Sequence, residues 1–174
     1  MQIIDNVFPE TAFKRMSDHF IGDFTDAEYK LCNSIIQTGS QEDGASLDTY
    51  QFVHPVISDC LIKSPESLDV LGPLLAYIRP LMIQRIKVNI TPRTSTSIET
   101  GMHSDIAPQL YPKDCVIKSC IFYLNSTDGY TSFETGEKVE SVENRLLIFD
   151  SAKIHSGNTC TNKRYRAVVN CVYV

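Results

Sequence analysis

Short runs of apolar, β-prone residues divide the C-terminal half of the chain, and this division constrains the fold more than any other feature. Turn-forming residues such as Asp128-Gly129 and Gly136 separate the runs. The runs cover residues 81–92, 115–125, 145–149 and 166–174. Many short strands between turns are typical of an all-β core that closes as a barrel or jelly roll. We therefore predict a mainly β protein.

The N-terminal part has helical periodicity. Phe13, Met16 and Phe20 follow a helix start at Pro9-Glu10, and Ser64-Pro65 has the cap and first-turn residues of a second helix. Pro73 interrupts the second pattern, so we expect a kink or two short helices. A short helix is also predicted over 26–37, and a strand over 50–55.

Length and composition limit the organisation of the chain. With 174 residues and 43% hydrophobic content, we expect one domain, with helical support over about 1–80 and a β-core over about 81–174. The net charge of −5 and the absence of Lys/Arg runs disfavour nucleic acid as a partner. No apolar run approaches the roughly 20 residues of a membrane span.

Six cysteines without a CxxC pair are typical of reduced thiols. The first residues contain no basic segment followed by an apolar one, so no secretory signal is predicted. We therefore expect a soluble, cytoplasmic protein. The sequence does not indicate an oligomeric state.

Three residues have the side chains of a metal site. His103 and Asp105 are two positions apart, so an extended strand directs both side chains to one face, and His155 follows from a later strand. Two imidazoles and one carboxylate form the facial triad that suits non-haem Fe(II) and leaves positions open for other ligands. Zinc hydrolases use similar ligands, so the triad alone does not identify the metal.

An arginine near the last strand has the properties needed to bind a carboxylate. Arg166 follows His155 by 11 residues and begins the apolar run 167–174. A guanidinium can bind a carboxylate through two parallel, charge-assisted hydrogen bonds. Arg164 is the competing candidate, but it belongs to the polar turn before the apolar run. We therefore prefer Arg166.

The order of these motifs resembles that of the 2-oxoglutarate- and Fe(II)-dependent oxygenases, in particular their prolyl 4-hydroxylase-like branch. Between the His-x-Asp motif and the distal histidine, that branch has a Tyr-Leu-Asn strand, a Gly-x-Thr-x-Phe stretch and an Arg-Leu-Leu-x-Phe strand. This chain has the same three in the same order, at 123–125, 129–133 and 145–149. The resemblance covers the C-terminal half well and the N-terminal half loosely.

The resemblance implies a double-stranded β-helix (jelly-roll, cupin-like) core with flanking helices. It also implies Fe(II), 2-oxoglutarate as co-substrate and O2. Fe(II) would be held by His103, Asp105 and His155. Arg166, with Tyr123, would bind the far carboxylate of 2-oxoglutarate, and Asn89 is a further candidate for contact with the co-substrate. The implied reaction is hydroxylation of an unactivated C–H bond, with 2-oxoglutarate converted to succinate and CO2.

Substrate and function leave alternatives open. The first hypothesis is a hydroxylase of a prolyl or other residue in a peptide or protein, or of a free amino acid. The second is a 2-oxoglutarate oxygenase that acts on a nucleobase or small molecule. The acidic pI disfavours a nucleobase, and residues 172–174 lack the second arginine that the resemblance would imply for the dealkylating branch of these oxygenases. The third is a non-catalytic, cupin-like metal- or ligand-binding barrel. His54 could compete for the metal, but we interpret it as a structural or substrate-lining residue.

Overall fold

A computed structural model of the protein describes residues 1–23, 25, 27–32, 50–106 and 115–174. Over these residues the chain is mainly β, as predicted. The helices are α1 (Glu10–Ile21), α2 (Pro65–Val70) and α3 (Gly72–Ile78). The strands are β1 (Gln2–Ile4), β2 (Lys30–Cys32), β3 (Gln51–Ser58), β4 (Leu61–Ile62), β5 (Ile83–Pro92), β6 (Lys118–Tyr123), β7 (Tyr130–Phe133), β8 (Lys138–Glu140), β9 (Leu146–Asp150), β10 (His155–Gly157) and β11 (Tyr165–Tyr173).

The strands of the described residues form two antiparallel sheets. The large sheet has the order β1-β9-β6-β11-β5-β3-β2, with β4 paired to β3, and the small sheet has the order β10-β7-β8. The strand β11 lies between β5 and β6, so it is paired along both edges. Its nine residues are almost all buried, which explains why the sequence is a continuous apolar run at this point.

One face of the large sheet packs against the helices. Its side chains alternate with those of the other face, as the two-residue period of a strand requires. Val88, Phe122, Val169 and Cys171 lie on this outer face, in one core cluster with Phe20 of α1. Apolar residues at helical spacing in α1 thus cover the outer face of the large sheet.

The opposite face of the large sheet packs against the small sheet. Ile121, Tyr123 and Val168 of the large sheet form a second core cluster with Phe133 and Val139 of the small sheet. This inner face also contains polar residues of β5 and β11, so the space between the sheets is where a polar site can form.

Two local predictions have different outcomes. The predicted break at Pro73 is confirmed, because α2 ends at Val70 and α3 begins at Gly72. The helix predicted over 26–37 is wrong where the chain is described, since Lys30–Cys32 form β2 and pair with β3. Tertiary strand pairing overrides a weak local helical preference there. The rest of that prediction falls partly on residues outside the described ranges.

No described helix has the length and apolar character needed to cross a membrane.

A directed chain of hydrogen bonds joins the helices to the outer face of the sheet. Nδ1 of His54 lies 2.7 Å from the carbonyl oxygen of Glu28, so Nδ1 must donate. Nε2 of a neutral His54 then accepts from the Ser67 hydroxyl at 2.8 Å. Oγ of Ser67 in turn accepts from Ser64 at 2.9 Å and lies 2.9 Å from Nε2 of His19. His54 is therefore a structural residue on the outer face, away from the space between the sheets.

Replacing Ser67 by alanine is expected to destabilise the protein. The substitution leaves the buried Nε2 of His54 without its donor, and an unsatisfied buried polar group costs about 1–3 kcal/mol. Urea unfolding of Ser67→Ala should give a free energy of unfolding lower by about that amount, and the exposed Ser95→Ala should leave it unchanged. Equal stability of the two variants would contradict the role of the hydrogen-bond chain.

Candidate metal centre and anion pocket

Backbone pairing brings the two predicted metal-ligand histidines together. His103 forms an isolated antiparallel bridge with His155, in which each backbone N–H donates to the other residue's carbonyl at 2.8 Å. The Asp105 N–H donates to the carbonyl oxygen of Ser151 and fixes the third position. One ligand atom from each of His103, Asp105 and His155 lies within 4.8 Å of the other two. The structure thus places the three residues close enough together to hold a metal ion.

Both imidazoles are held in the tautomer that binds a metal through Nε2. Nδ1 of His103 lies 3.1 Å from the carbonyl oxygen of Gly101, and Nδ1 of His155 lies 2.9 Å from that of Lys153. A carbonyl oxygen only accepts, so each Nδ1 carries a proton, and in the neutral ring Nε2 is the nitrogen with the free lone pair. Such contacts orient the rings of metal-binding histidines.

Two donors hold the carboxylate of Asp105. Oδ1 accepts from Nη2 of Arg85 at 2.5 Å, and Oδ2 accepts from the Ser119 hydroxyl at 2.5 Å. Burial raises the pKa of Asp105, but the charge of Arg85, the neighbouring His155 and the Ser119 hydrogen bond outweigh burial and lower the pKa below its usual range. Oδ2 lies 3.7 Å from Nε2 of His155. The site therefore offers an ionised carboxylate beside two imidazoles.

Burial, and then the neighbouring His155, lower the pKa of His103 to about 4. Between about pH 6.5 and pH 4 the unfolded chain therefore binds a proton at this residue that the folded protein does not. The metal-free protein should lose stability as the pH falls through this window. Urea unfolding at several pH values should show this loss, and His103→Gln should reduce the slope. An equal slope in both proteins would contradict a lowered pKa.

Arg166 carries a buried positive charge. Its side chain is 5% exposed, and no carboxylate of the described residues forms an ion pair with it. Nε donates to the Ser141 hydroxyl at 2.6 Å, and Nη2 donates to the Thr131 hydroxyl at 3.0 Å. Burial is the main influence on Arg166 and lowers its pKa. A buried guanidinium with only neutral partners is costly, and an anionic ligand would compensate it.

Two neighbours shape the space around this guanidinium. Cζ of Arg166 lies 5.5 Å from the centre of the Tyr123 ring, within the range of a cation–π contact. The Tyr123 hydroxyl lies 2.9 Å from Oγ1 of Thr131, which also accepts from Arg166. On the other side, a methyl group at Gly129 would lie 2.7 Å from Cδ of Arg166. Only glycine leaves room for the arginine stem at that position.

One pocket joins the metal-ligand residues to Arg166. Polar residues of β5 and β11 line it, together with the apolar Ile121 and Val168. Asn89 lines the same pocket, and its buried Oδ1 has no hydrogen-bond partner among the described residues. Lys87 also lines it, and burial, together with the charge of Arg85, lowers the pKa of this lysine to about 8.

The structure thus brings together every residue that the sequence singled out for metal or co-substrate binding. These are His103, Asp105, His155, Arg166, Tyr123 and Asn89. Arg164 is exposed and precedes β11, whereas Arg166 lies inside the strand and the pocket.

Sequence reasoning gave no role to Lys87, Ser119 or Thr131. The alternation of Arg85, Lys87 and Asn89 was a usable signal, because it places Lys87 on the same face as the candidate Asn89. The signal for Ser119 was weaker: it is the one small polar residue on a strand face that it shares with Ile117, Ile121 and Tyr123.

Several solved structures have this fold. A prolyl-4-hydroxylase from Pseudomonas putida aligns with a TM-score of 0.64 at 12% identity, over 99% of this chain and 90% of that one. A prolyl hydroxylase from Trichoplax adhaerens, in complex with a peptide of hypoxia inducible factor, aligns with a TM-score of 0.61 at 14% identity, over 99% and 82%. HygX from Streptomyces hygroscopicus, with nickel and 2-oxoglutarate bound, aligns with a TM-score of 0.61 at 13% identity, over 98% and 81%.

These similarities confirm the predicted jelly-roll fold with flanking helices. No protein-family model matches the chain. No curated protein matches it in sequence. Function therefore has to be inferred from the site, because one fold can support many activities.

Proposed function

We propose that this chain is a 2-oxoglutarate- and Fe(II)-dependent oxygenase that hydroxylates an unactivated C–H bond. The observation that carries the proposal is the buried Arg166 guanidinium, without a carboxylate partner among the described residues, in the same pocket as a two-histidine, one-carboxylate set. A metal-binding barrel alone would not need a buried cation. A dicarboxylate co-substrate that chelates the metal at one end needs such a cation at the other.

The residues present fit Fe(II). His103 and His155 each keep Nε2 free to bind, and Asp105 is held ionised by Arg85. Nitrogen and carboxylate ligands on one side of the ion leave further positions open, which is the arrangement of non-haem Fe(II) oxygenases. Ser119 and the backbone carbonyls support these ligands from behind, as partners of metal ligands commonly do.

The residues also fit 2-oxoglutarate. Arg166 would bind the far carboxylate, and the hydroxyl groups of Thr131 and Ser141 hold its guanidinium in place. Tyr123 packs against the guanidinium and orients Thr131. Asn89 lines the pocket from β5 and can contact the co-substrate. Ile121 and Val168 line the pocket with apolar surface and exclude water from part of it.

When bound, Fe(II) and 2-oxoglutarate activate O2 for attack on a C–H bond, and 2-oxoglutarate is converted to succinate and CO2. The chain supplies position and charge. Its histidines present unprotonated nitrogens, Asp105 supplies one negative charge, and Arg166 neutralises the distal carboxylate. None of these side chains has to transfer a proton in order to bind the metal ion or the co-substrate.

The proposed substrate is a prolyl or other amino-acid residue. Two of the proteins with this fold are prolyl hydroxylases, and one of them is in complex with a peptide. These similarities support an amino-acid substrate at the level of fold. A small molecule is the second candidate, because the pocket contains a further cation that neither the metal ligands nor Arg166 explains.

An anaerobic titration tests the proposal. The purified metal-free protein is titrated with Fe(II) and then with 2-oxoglutarate, and the weak visible charge-transfer band of the chelate is recorded. We expect the band in the wild type and its loss in His103→Ala. A folded wild-type protein without the band would contradict the oxygenase function and favour a non-catalytic barrel.

Replacing Gly129 by alanine is expected to weaken 2-oxoglutarate binding about 10-fold. The new methyl group would lie 2.7 Å from Cδ of Arg166 and 3.1 Å from the carbonyl oxygen of Asn158, so the arginine stem must shift. A misplaced bidentate pair loses about one charge-assisted hydrogen bond. The control is Gly72→Ala, where the added methyl group meets nothing within 4 Å. Calorimetric titration should show a larger dissociation constant for 2-oxoglutarate in Gly129→Ala and an unchanged one in Gly72→Ala.

A further inference from the structure

We propose that Lys87 is a second carboxylate-binding residue of the pocket, and that the primary substrate presents a carboxylate group to it. This inference rests on the proposed function and makes its substrate class more specific. It assigns a role to the cation that, among the described residues that line the pocket, neither the metal ligands nor the co-substrate residue uses.

The position of Lys87 on β5 separates it from the residues around Arg166. Lys87 is directly opposite Asn170 of β11, whereas Thr91 is directly opposite Arg166. Lys87 is thus four positions away from the level of Arg166 along the strand. Lys87 lies instead close enough to Asp105 and His103 for its charge to influence both groups. The lysine therefore lies at the metal end of the pocket.

Lys87 has no anionic partner among the described residues. No carboxylate of those residues forms an ion pair with it. The nearby Asp105 is already held by Arg85 at 2.5 Å and by Ser119 at 2.5 Å. A partly buried ammonium that has lost much of its hydration gains more from an anionic ligand than an exposed one does.

The charges around the pocket favour a second anion. Three cations, Arg85, Lys87 and Arg166, face a single carboxylate, that of Asp105. A divalent metal ion and a doubly negative 2-oxoglutarate cancel each other in charge. After both have bound, the described residues still leave an excess of positive charge. Arg85 has its carboxylate partner in Asp105, and Arg166 would have one in 2-oxoglutarate, so Lys87 is the cation without a carboxylate beside it.

Asn170 gives this position a second donor. Nη2 of Arg85 lies 3.3 Å from Oδ1 of Asn170, and a guanidinium only donates, so the amide oxygen faces Arg85. The Nδ2 group of Asn170 is therefore left to donate to another acceptor. Asn170 lines the pocket directly opposite Lys87. An ammonium and an amide on adjacent strands can together bind the two oxygens of one carboxylate.

Another carboxylate could use the same chemistry, namely the metal-end carboxylate of 2-oxoglutarate itself. The metal ion already compensates that group, so we assign Lys87 to the substrate. The two sources are separable, because binding of the co-substrate and binding of a second carboxylate can be measured one after the other on the same protein.

The test uses protein loaded with Zn²⁺ and saturated with 2-oxoglutarate, in which acetate is the carboxylate probe and acetamide its neutral control. Lysine side-chain and Asn170 amide NMR signals report binding. We expect acetate, but not acetamide, to shift the Lys87 and Asn170 signals saturably. Lys87→Met should weaken acetate binding about 10-fold, since it removes one charge-assisted contact. The exposed Lys118→Met, outside the pocket, should change nothing.

Affinity for 2-oxoglutarate, measured by calorimetry with Zn²⁺ present, should be the same in Lys87→Met and in the wild type. A large loss in the variant would assign Lys87 to the co-substrate and overturn the inference. So would equal responses to acetate and acetamide. A wild-type protein that does not bind 2-oxoglutarate overturns the proposed function and this inference with it. Binding of 2-oxoglutarate without a preference for acetate overturns this inference alone.

Discussion

Arg166→Met is expected to weaken 2-oxoglutarate binding by about 30-fold to several thousand-fold. The range corresponds to the roughly 2–5 kcal/mol lost when one partner of a buried, hydrogen-bonded charge pair is removed. Methionine keeps much of the apolar stem, so the change removes the charge and leaves the packing against Tyr123 largely in place. The effect should appear in the dissociation constant for 2-oxoglutarate and not in the affinity for the metal.

The same substitution should not destabilise the ligand-free protein. The guanidinium is buried with only neutral hydroxyl partners, Ser141 and Thr131. Replacing a costly buried charge by an apolar side chain of similar length is often neutral or stabilising. We therefore expect an unchanged or higher Tm in Arg166→Met without ligand, and a loss of the rise in Tm that 2-oxoglutarate gives the wild type.

Thermal unfolding with and without 2-oxoglutarate, in the presence of Mn²⁺, measures both effects at once. The control is Arg164→Met, because that arginine is exposed and lies outside the pocket. It should behave as the wild type in both measurements. If Arg164→Met, rather than Arg166→Met, removed the ligand effect, the assignment of the co-substrate arginine would be wrong.

Asp105→Ala should have the second large effect, a loss of metal affinity of more than about 100-fold. Removing a residue that only supports a metal ligand already costs about 10- to 100-fold, and Asp105 is proposed to be a ligand itself. Its loss also leaves the positive charge of Arg85 without its partner at 2.5 Å, and this charge would repel a cation. Metal binding should therefore fall below detection in an ordinary titration.

Ser119→Ala gives a graded comparison. This serine donates to Oδ2 of Asp105 at 2.5 Å but offers the metal no charge, so we expect a loss of about 10-fold. Electron paramagnetic resonance of free Mn²⁺ measures both affinities. Equal losses in the two variants would contradict the proposed roles, with Asp105 as a ligand and Ser119 as its support. Unchanged binding in Asp105→Ala would exclude this residue from the metal site.

The sequence predicted the β-core because its signal is local. The strand β11 is buried on both faces, so its sequence is a continuous apolar run. The strand β5 has apolar residues on one face and polar residues on the other, so its sequence alternates. His103 and Asp105 stood out because their residue types and two-residue spacing match a pair of metal ligands, and Arg166 stood out because it is a charged residue at the start of an apolar run. Comparison with structures of the same fold supports the architecture, while the roles of these residues stay predictions until the variants are measured.

Other features could not be predicted because they depend on partners distant in sequence. Ser119 and Asp105 are 14 positions apart in the sequence, and no short-range pattern predicts the hydrogen bond between them. The hydrogen-bond chain from His54 through Ser67 joins three separate elements. The strand at Lys30–Cys32 exists because β3 offers an edge to pair with, and a single sequence does not contain that information.

The strand β5 links the chemistry of the pocket to the fidelity of folding. Arg85, Lys87 and Asn89 face the pocket or its carboxylate, while the residues between them, Ile86 and Val88, are fully buried against the helices. A slip of one residue against β11 would bury two cations in the apolar layer and expose these side chains. Misaligned pairings of this strand are therefore strongly disfavoured, and the alternation that directs the charges to the pocket also sets the register of β5 against β11 as the chain folds.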